Sequence, residues 1–276
     1  MKKHLLVLLA AMAAAACGSQ PRTPKVEAGV EAGASDPRFP GFLPGYVSRE
    51  ALVDSLALLP PPPEAGSSAQ AADDASRQAA RRWRATPRWA WAARDAELRF
   101  PQAATTFACA LGTAVSTEAT PKLVTLLRRT LADAGLTTYR AKDHYKRMRP
   151  FVAAGDPMCD PEHESMLRGD GSYPSGHAAI GMAWALVLTE LAPERVDALL
   201  QRGMAFGQSR VVCNVHWQSD VEAGRLVGAA VVAQLRTRPE FAEQLTAVRA
   251  EVAAARVAGS RPESDCAAEG RELAGR

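Results

Sequence analysis

The sequence has little of the patterns that are typical of β-sheet proteins and of nucleic-acid-binding proteins. Alternation of apolar and polar residues, which is typical of half-buried strands, is nearly absent from its 276 residues. Charge is almost balanced: 33 Lys+Arg stand against 30 Asp+Glu, a formal net charge of +3, and loss of Lys2 and Lys3 with a leader would leave +1. A nearly neutral chain lacks the basic surface of a nucleic-acid-binding protein, so nucleic acid is excluded as a partner.

Cysteine is scarce, and its spacing excludes a zinc or redox motif. Besides Cys17 the chain has Cys109, Cys159, Cys213 and Cys266, and no two of them form a C-x-x-C pair. In an oxidising compartment an even number of cysteines indicates up to two disulfides. Four cysteines allow three pairings, and the sequence does not choose among them.

Long apolar runs are also absent, apart from one at the N-terminus. A short basic region precedes the run Leu5–Ala16, which is too short for a stable membrane span. This pattern predicts a signal peptide over residues 1–16 and export of the protein to the periplasm. The lack of a comparable later run argues against an integral membrane protein.

Cys17 follows the leader in the context Ala14-Ala15-Ala16-Cys17, which resembles a bacterial lipobox, although Leu is usual three positions before the Cys. Acylation of Cys17 would tether the chain to a membrane as a lipoprotein. Simple cleavage near an Ala-x-Ala sequence is the alternative. Residues 17–45 are rich in Gly, Pro, Ala and Ser, and this composition predicts a flexible tether.

The rest of the chain carries helix signals and no confident strand signal. Thr120 and Pro121 are a typical helix start, and leucines follow at helical spacing as far as Gly135. Similar signals recur over residues 46–256. They predict one all-α, bundle-like domain, followed by a loose tail over residues 257–276.

A pair of carboxylates lies near the start of another predicted helix. Ser67 or Ser68 caps this helix, which runs to about Arg84. Asp73 and Asp74 are placed where negative charge favours the helix dipole. A metal-binding role is the alternative, but a solvated helix face explains the pair more simply.

One short stretch, residues 171–177, organises the rest of the chain. Pro174 keeps the backbone extended, and Ser175 and Gly176 are favourable caps for the apolar helix that follows. The first amide groups of a helix lack internal partners and bear the positive end of its dipole. The stretch therefore predicts a binding site for a phosphate group, with His177 beside it.

Two further blocks supply positive charge. Lys142 and Arg149 lie seven residues apart, which places them two turns apart on one face of a helix that Pro150 would end. Arg210 lies in the second block, upstream of His216. A phosphate monoester needs charge stabilisation on its transferring group, and three cations with one helix start can supply it without magnesium or zinc. The prediction is a site with no metal and no cofactor.

His216 and Asp220 have the spacing of an oriented nucleophile. On a helix they share a face, so the carboxylate accepts the proton of one ring nitrogen and the other keeps its lone pair. Such an imidazole can attack phosphorus. The leaving alkoxide needs a proton, and His177 is the predicted general acid, which later activates water. On this hypothesis His177 starts protonated, His216 starts neutral, and the pH optimum is acidic.

The three blocks resemble the signature of the phosphatidic acid phosphatase type 2 and vanadium haloperoxidase superfamily. They read K-x6-R-P at residues 142–150, P-S-G-H at 174–177 and S-R-x5-H-x3-D at 209–220. The phrases Gly-Ser-Tyr-Pro-Ser-Gly-His, Ala-Lys-Asp-His-Tyr and Gln-Ser-Asp are similar to those of class A bacterial non-specific acid phosphatases.

This resemblance implies an exported, helical enzyme that hydrolyses many small-molecule phosphate monoesters at acidic pH and is commonly a homo-oligomer. It implies that the phosphoryl group is held by Lys142, Arg149, Ser175, Gly176, His177 and Arg210. It also implies that His216 is the nucleophile and that Asp220 orients it.

Two other activities fit the same signature. A vanadium-dependent haloperoxidase binds vanadate through the residues that bind a phosphoryl transition state, and a phospholipid or isoprenoid phosphate phosphatase would suit a lipid anchor. A non-catalytic envelope lipoprotein is a further alternative. It predicts scattered losses within the motif blocks, and none is seen.

Overall fold

The computed structural model describes residues 42–274. The predicted signal peptide, Cys17 and most of the predicted tether lie outside them. Within these residues every regular element is helical, which confirms the predicted all-α class. The α-helices are α1 (Ser55–Leu58), α2 (Ser68–Ala80), α3 (Pro87–Arg94), α4 (Ala108–Leu111), α5 (Pro121–Thr137), α6 (Tyr139–Tyr145), α7 (Pro150–Ala154), α8 (Glu164–Gly169), α9 (Gly176–Leu191), α10 (Val196–Val212), α11 (Gln218–Leu235), α12 (Pro239–Val257) and α13 (Cys266–Ala274). None of the helices in this range has the length and apolar content needed to cross a bilayer.

Helix α9 is buried among other helices. Its sequence is apolar on all sides, as a surrounded helix requires, and Ile180, Trp184 and Leu188 are almost completely buried. Helices α5, α10 and α11 pack against it. Trp184 donates its indole N–H to the carbonyl oxygen of Leu127 in α5 at 2.9 Å, which satisfies the polar atom of this buried ring.

Small residues bring α11 close to α9. Gly224 and Gly228 leave room for this approach. A Cβ on Gly224 would lie 2.3 Å from the carbonyl oxygen of Ser175, and one on Gly228 would lie 2.3 Å from that of Ala179. A larger side chain would therefore push α11 away from the start of α9, where the candidate site lies.

Lys142 and Arg149 do not share a helix, contrary to the prediction from sequence. Helix α6 ends at Tyr145, and Lys146 takes a left-handed conformation with a φ of 45°. Arg149 is extended and precedes α7, which Pro150 begins rather than ends. A proline disfavours helical backbone in the residue before it but suits the first position of a helix, which explains both observations.

Two disulfides decide the pairing that the sequence left open. Cys109 is bonded to Cys266, and Cys159 is bonded to Cys213. The Cα atoms are 5.3 Å apart in the first pair and 4.7 Å apart in the second, both within the ordinary range for disulfides. The first bond joins α4 to α13, and the second joins the segment after α7 to the end of α10.

The C-terminal segment is not the loose tail that the sequence predicted. It contains α13, whose Glu269 is buried and pairs with Arg202 of α10 at 3.0 Å. A disulfide and a buried ion pair hold this helix. The polar composition of residues 257–276 gave no sign of either contact, because both depend on partners far away in the sequence.

Candidate active site

The start of α9 is capped as the sequence predicts. The Ser175 hydroxyl accepts a hydrogen bond from the Ala178 amide at 3.3 Å. The Ser175 amide donates to the backbone oxygen of Asp220 at 2.9 Å, which ties this turn to α11. Gly176 and His177 follow in the first turn of a 16-residue helix, where the dipole and the amide groups favour an anion.

His216 and Asp220 meet, but not because one helix carries both. Helix α11 begins at Gln218, so His216 lies two residues before it. Asp220 Oδ2 accepts from the Trp217 amide at 2.8 Å, which caps the helix, and it lies 3.3 Å from His216 Nδ1. The carboxylate reaches back from the first turn of α11 to the imidazole.

The proton on the His216 ring has one consistent position. Nε2 lies 3.1 Å from Arg149 Nη1, and a guanidinium can only donate hydrogen bonds. Nε2 is therefore the acceptor, and Nδ1 carries the proton toward Asp220. Burial, and after it the charges of Arg149 and Lys142, hold the pKa of His216 well below its usual value, which favours the neutral ring.

Arg147 is a residue of this site that the sequence analysis missed. Its Nη1 donates to Asp220 Oδ1 at 2.7 Å, and its Nη2 donates to Asp73 Oδ2 of α2 at 2.7 Å. Burial raises the pKa of the Asp220 carboxyl, and the positive charge of Arg147 opposes that rise. A buried chain of contacts therefore runs from Asp73 through Arg147 and Asp220 to His216.

The interpretation of Asp73 as part of a solvated face is wrong. Asp73 is 3% exposed and accepts from both the amide and the hydroxyl of Ser219, at 2.8 and 2.5 Å. Asp74, the next residue, is exposed as expected. Nothing within α2 distinguishes the two carboxylates. The sequence signal that a buried carboxylate partner was needed is Arg147, an extra cation inside the K-x6-R-P block, two residues before Arg149.

Lys142, in α6, and Arg149, just before α7, both contact the carboxylate of Asp170. The Lys142 ammonium lies 3.3 Å from Asp170 Oδ2, and Arg149 Nη2 lies 2.7 Å from the same oxygen. Burial, and then the charge of Arg149, lower the pKa of Lys142 to about 8, so the ammonium keeps its proton at acidic pH. Burial also lowers the pKa of Arg149.

Arg210 differs from these two cations in its contacts. It is 1% exposed on α10, and within residues 42–274 its Nε and Nη1 atoms have no hydrogen-bond partner. Burial lowers its pKa to about 10, with Asp160 opposing this effect and Arg149 adding to it. Unpaired buried donors are costly, so this guanidinium is suited to receive an anionic ligand.

His177 carries its proton on the opposite ring nitrogen from His216. Its Nε2 lies 2.9 Å from the carbonyl oxygen of Ala96, which can only accept, so Nε2 bears a proton. Burial, and then Arg210, hold the pKa of His177 well below its usual value. The ligand-free structure thus favours a neutral His177, whereas the hypothesis from sequence has it protonated at the start.

The structure brings the eight predicted side chains and backbone groups into one site. His216 interacts electrostatically with Arg149, Lys142 and Arg210, and His177 interacts with Arg210 and His216. The eight residues are Lys142, Arg149, Ser175, Gly176, His177, Arg210, His216 and Asp220. In the described part of the chain, no three His, Cys, Asp or Glu side chains are grouped as metal ligands.

Comparison with known proteins identifies the class to which this fold and site belong. The sequence pattern of the PAP2 superfamily matches residues 123–242, a range that includes all eight site residues. An all-α domain with this match and a basic site at a helix start is that of a PAP2-type phosphatase.

Curated relatives are similar to the chain over a wide range. A non-specific acid phosphatase from Providencia stuartii is 45% identical over 209 residues, 75% of this chain and 84% of the relative. One from Salmonella typhimurium is 46% identical over 168 residues, 60% of this chain and 67% of the relative. An acid phosphatase from Zymomonas mobilis is 38% identical over 193 residues, 70% of this chain and 73% of the relative. The chain belongs to the class A bacterial non-specific acid phosphatases and is a phosphomonoester hydrolase.

Proposed function

We propose that this enzyme hydrolyses phosphate monoesters of broad structure through a phosphohistidine on His216. The observation that carries this proposal is the state of the His216 ring. Its Nε2 is an acceptor at 3.1 Å from Arg149, its Nδ1 faces Asp220, and the ring lies among three buried cations. An unprotonated ring nitrogen in a basic site is what a nucleophile toward a phosphoryl group requires.

In the first step the lone pair of His216 Nε2 forms a bond to phosphorus, and the bond from phosphorus to the ester oxygen breaks. The leaving oxygen takes a proton from His177, which prevents release of an alkoxide. In the second step water attacks phosphorus and gives a proton to His177. The P–N bond then breaks, its electron pair returns to Nε2, and inorganic phosphate leaves.

Charge stabilisation comes from the cations and from the start of α9. Arg210 has two nitrogens that lack partners within the described residues, and they can donate to the equatorial oxygens. The amides of Gly176 and His177 lie in the first turn of α9, at the positive end of its dipole, and the Ser175 hydroxyl lies beside them. These groups can do the work that other phosphatases assign to divalent metals, so we expect activity without a metal.

The substrate supplies the proton that His177 lacks in the ligand-free enzyme. A phosphate monoester has a second pKa of about 6, so below that pH it arrives as a monoanion with one proton to give. The bound dianion offsets the charge of Arg210, which otherwise lowers the pKa of His177. Transfer of the substrate proton to His177 then makes the general acid, and the pH optimum is acidic for this reason.

Export to the periplasm is part of the proposal. Two disulfides, Cys109–Cys266 and Cys159–Cys213, support it because such bonds persist in oxidising compartments. The leader over residues 1–16 and lipidation of Cys17 lie outside the described residues and stay predictions. Homo-oligomerisation also stays a prediction.

Hydrolysis by wild type and His216→Ala in the presence of a chelator tests this function. We expect wild type to cleave p-nitrophenyl phosphate and nucleotides from about pH 4 to about 7, and His216→Ala to be inactive at every pH. His144→Ala is the matched control, because His144 is exposed on α6 and belongs to no site contact described above. Loss of wild-type activity on chelation would contradict metal independence.

The same experiment separates the alternative activities. Acid phosphatase is the name that the curated relatives carry, which favours monoesters. Preferential cleavage of phosphatidic acid would instead support a lipid phosphatase. Halide oxidation after addition of vanadate and peroxide, without ester hydrolysis, would support a haloperoxidase.

A further inference from the structure

The carboxylate of Asp170 pairs with two of the three cations that the proposed function assigns to the phosphoryl group, namely Arg149 and Lys142. Asp170 Oδ2 lies 2.7 Å from Arg149 Nη2 and 3.3 Å from the Lys142 ammonium. The backbone oxygen of Asp170 also accepts from Arg149 Nε at 3.0 Å. Its side chain is 25% exposed, so the carboxylate faces both the cations and solvent.

The contacts of the cations divide them into two kinds. Every nitrogen of the Arg149 guanidinium is engaged: Nε and Nη2 by Asp170, and Nη1 by the carbonyl oxygen of Val215 and by His216. Arg210, in contrast, has two nitrogens without a partner among residues 42–274. A phosphoryl group can pair with Arg210 directly, but it meets Arg149 and Lys142 already paired with a carboxylate.

The backbone fixes Asp170 in this position. Helix α8 ends at Gly169, and Asp170 is extended, with a φ of −107° and a ψ of 129°. Gly171 then passes so close to α6 that a Cβ on it would lie 2.7 Å from the carbonyl oxygen of Lys142. The carboxylate is therefore held against the two cations by the main chain on both sides of it.

We propose that Asp170 is a resident counter-anion that competes with the phosphoryl group for Arg149 and Lys142 and thereby limits the affinity for substrate and for the product phosphate. The proposal rests on the proposed function, because it takes these cations as phosphoryl ligands. Without Asp170 a buried cluster of positive charge would bind inorganic phosphate tightly and release it slowly. With Asp170 the cations keep a partner before binding and after release.

Substitution of Asp170 tests this directly, with inorganic phosphate as the probe. In Asp170→Asn and Asp170→Ser the competing charge is gone, so we expect the inhibition constant of phosphate at a fixed acidic pH to fall about tenfold, and KM to fall with it. A calorimetric titration of each variant with phosphate should give the same change. An inhibition constant that is unchanged or higher in both variants would overturn the proposal, since Asp170 would then only position the cations.

Asp156→Asn is the matched control. Asp156 is 19% exposed and also pairs with arginines, Arg77 at 2.7 Å and Arg84 at 2.9 Å, but it contacts none of the eight site residues. This variant should bind phosphate as wild type does. Tighter binding of the same size in Asp156→Asn would contradict the proposal, because any lost carboxylate would then suffice.

A charge-preserving variant covers the case in which the neutral variants do not fold. Asp170→Glu keeps the negative charge and extends it by one methylene toward the cations, so phosphate binding should weaken. Equal or tighter binding in Asp170→Glu would overturn the proposal. Failure of the proposed function looks different: wild type would then bind phosphate without hydrolysing phosphate esters.

Discussion

The two imidazoles of the site hold their protons on different ring nitrogens. His216 is protonated at Nδ1 because Nε2 faces a guanidinium, and His177 is protonated at Nε2 because that atom faces a carbonyl oxygen. Burial, and then the charges of Arg149 and Arg210, lower the pKa of both rings. One ring is thus prepared to attack phosphorus, and the other has Nδ1 left to take and return a proton.

Loss of the His177 imidazole should harm poor leaving groups most. In His177→Ala we expect kcat on an alkyl phosphate to fall by about 100- to 10,000-fold, the usual contribution of a general acid, and kcat on p-nitrophenyl phosphate to fall far less. A nitrophenolate is stable without a proton, whereas an alkoxide is not. Steady-state rates on the two esters give the comparison, and equal losses on both would count against the acid role.

The pH dependence of kcat/KM should reflect the lowered pKa values of the free enzyme. Because the pKa of His216 lies well below 6.5, its ring stays neutral as the pH falls through that value, and the nucleophile is not lost there. Above about pH 8 the Lys142 ammonium loses its proton, since its pKa is lowered to about 8. We therefore expect kcat/KM not to decline as the pH falls through 6.5, to decrease above about pH 6 as the substrate loses the proton that it supplies to His177, and to decrease further above about 8. A decline that begins as the pH falls through 6.5 would contradict this.

Among the helices, Arg147 joins three segments that the site needs. It lies between α6 and α7, and it bonds Asp73 of α2 together with Ser219 and Asp220 of α11. Its side chain is 8% exposed, and those of Asp73 and Asp220 are 3% and 0% exposed. This arrangement holds the Asp220 carboxylate in place while its other oxygen serves His216.

Arg147→Met should therefore leave two buried carboxylates without their cation. We expect the free energy of unfolding to fall by about 3–5 kcal/mol, which is the usual cost of breaking a buried ion pair. We also expect kcat to fall more than KM rises, because Asp220 would no longer hold the His216 ring. Urea unfolding and steady-state kinetics measure the two effects.

Arg77→Met provides the comparison for that variant. Arg77 pairs with Asp156 at a partly exposed position, so its loss should cost no more than about 1 kcal/mol and leave kcat unchanged. If Arg147→Met lost stability and kept the wild-type kcat, Arg147 would be structural only.

Helix starts could be predicted from the sequence because their causes are local. Ser67 caps α2 and Ser175 caps α9, each by accepting a hydrogen bond from an amide three residues on, and Pro121 begins α5 because its fixed φ suits the first position of a helix. The positions of Arg149 and α13 could not be predicted in this way. The position of Arg149 depends on the left-handed conformation of Lys146, which interrupts a stretch whose sequence pattern is continuously helical. The position of α13 depends on a disulfide to a distant cysteine.

The same distinction applies to the site. The eight residues predicted from the motif blocks do lie together. They could be predicted because the three blocks combine cations, a helix start and two histidines, the groups that a phosphate site needs. Arg147 was missed and Asp73 was misinterpreted, because their roles depend on each other across 74 positions of sequence. Asp170 was missed for a similar reason: its role is visible only when Lys142 and Arg149 are seen to meet at its carboxylate.

For the molecule as a whole, long-range covalent and ionic contacts add to the helical core. The bond from Cys109 to Cys266 spans 157 residues and holds α13. Beneath it Arg202 pairs with Asp95 and Glu269, and Ser209, the residue before Arg210, bonds the same Asp95. The C-terminal helix thus completes a buried network that also contacts the segment bearing Arg210.

Cys266→Ser should free α13 and weaken this network. We expect the free energy of unfolding to fall by about 2–5 kcal/mol, as for loss of other native disulfides, while activity at low temperature stays close to that of wild type. Denaturant unfolding with an activity assay on the same samples gives both quantities. A variant as stable as wild type would show that α13 is held without its disulfide.

Rapid acid-free quenching of turnover with a radiolabelled phosphate ester measures whether His216 carries the phosphoryl group. We predict that denatured wild type retains a label that survives alkali and is released by acid, as a phosphohistidine does, and that His216→Ala retains none while His144→Ala retains as much as wild type. Label on the His216→Ala protein, or turnover of wild type with no labelled protein at any quenching time, would contradict a phosphohistidine on His216.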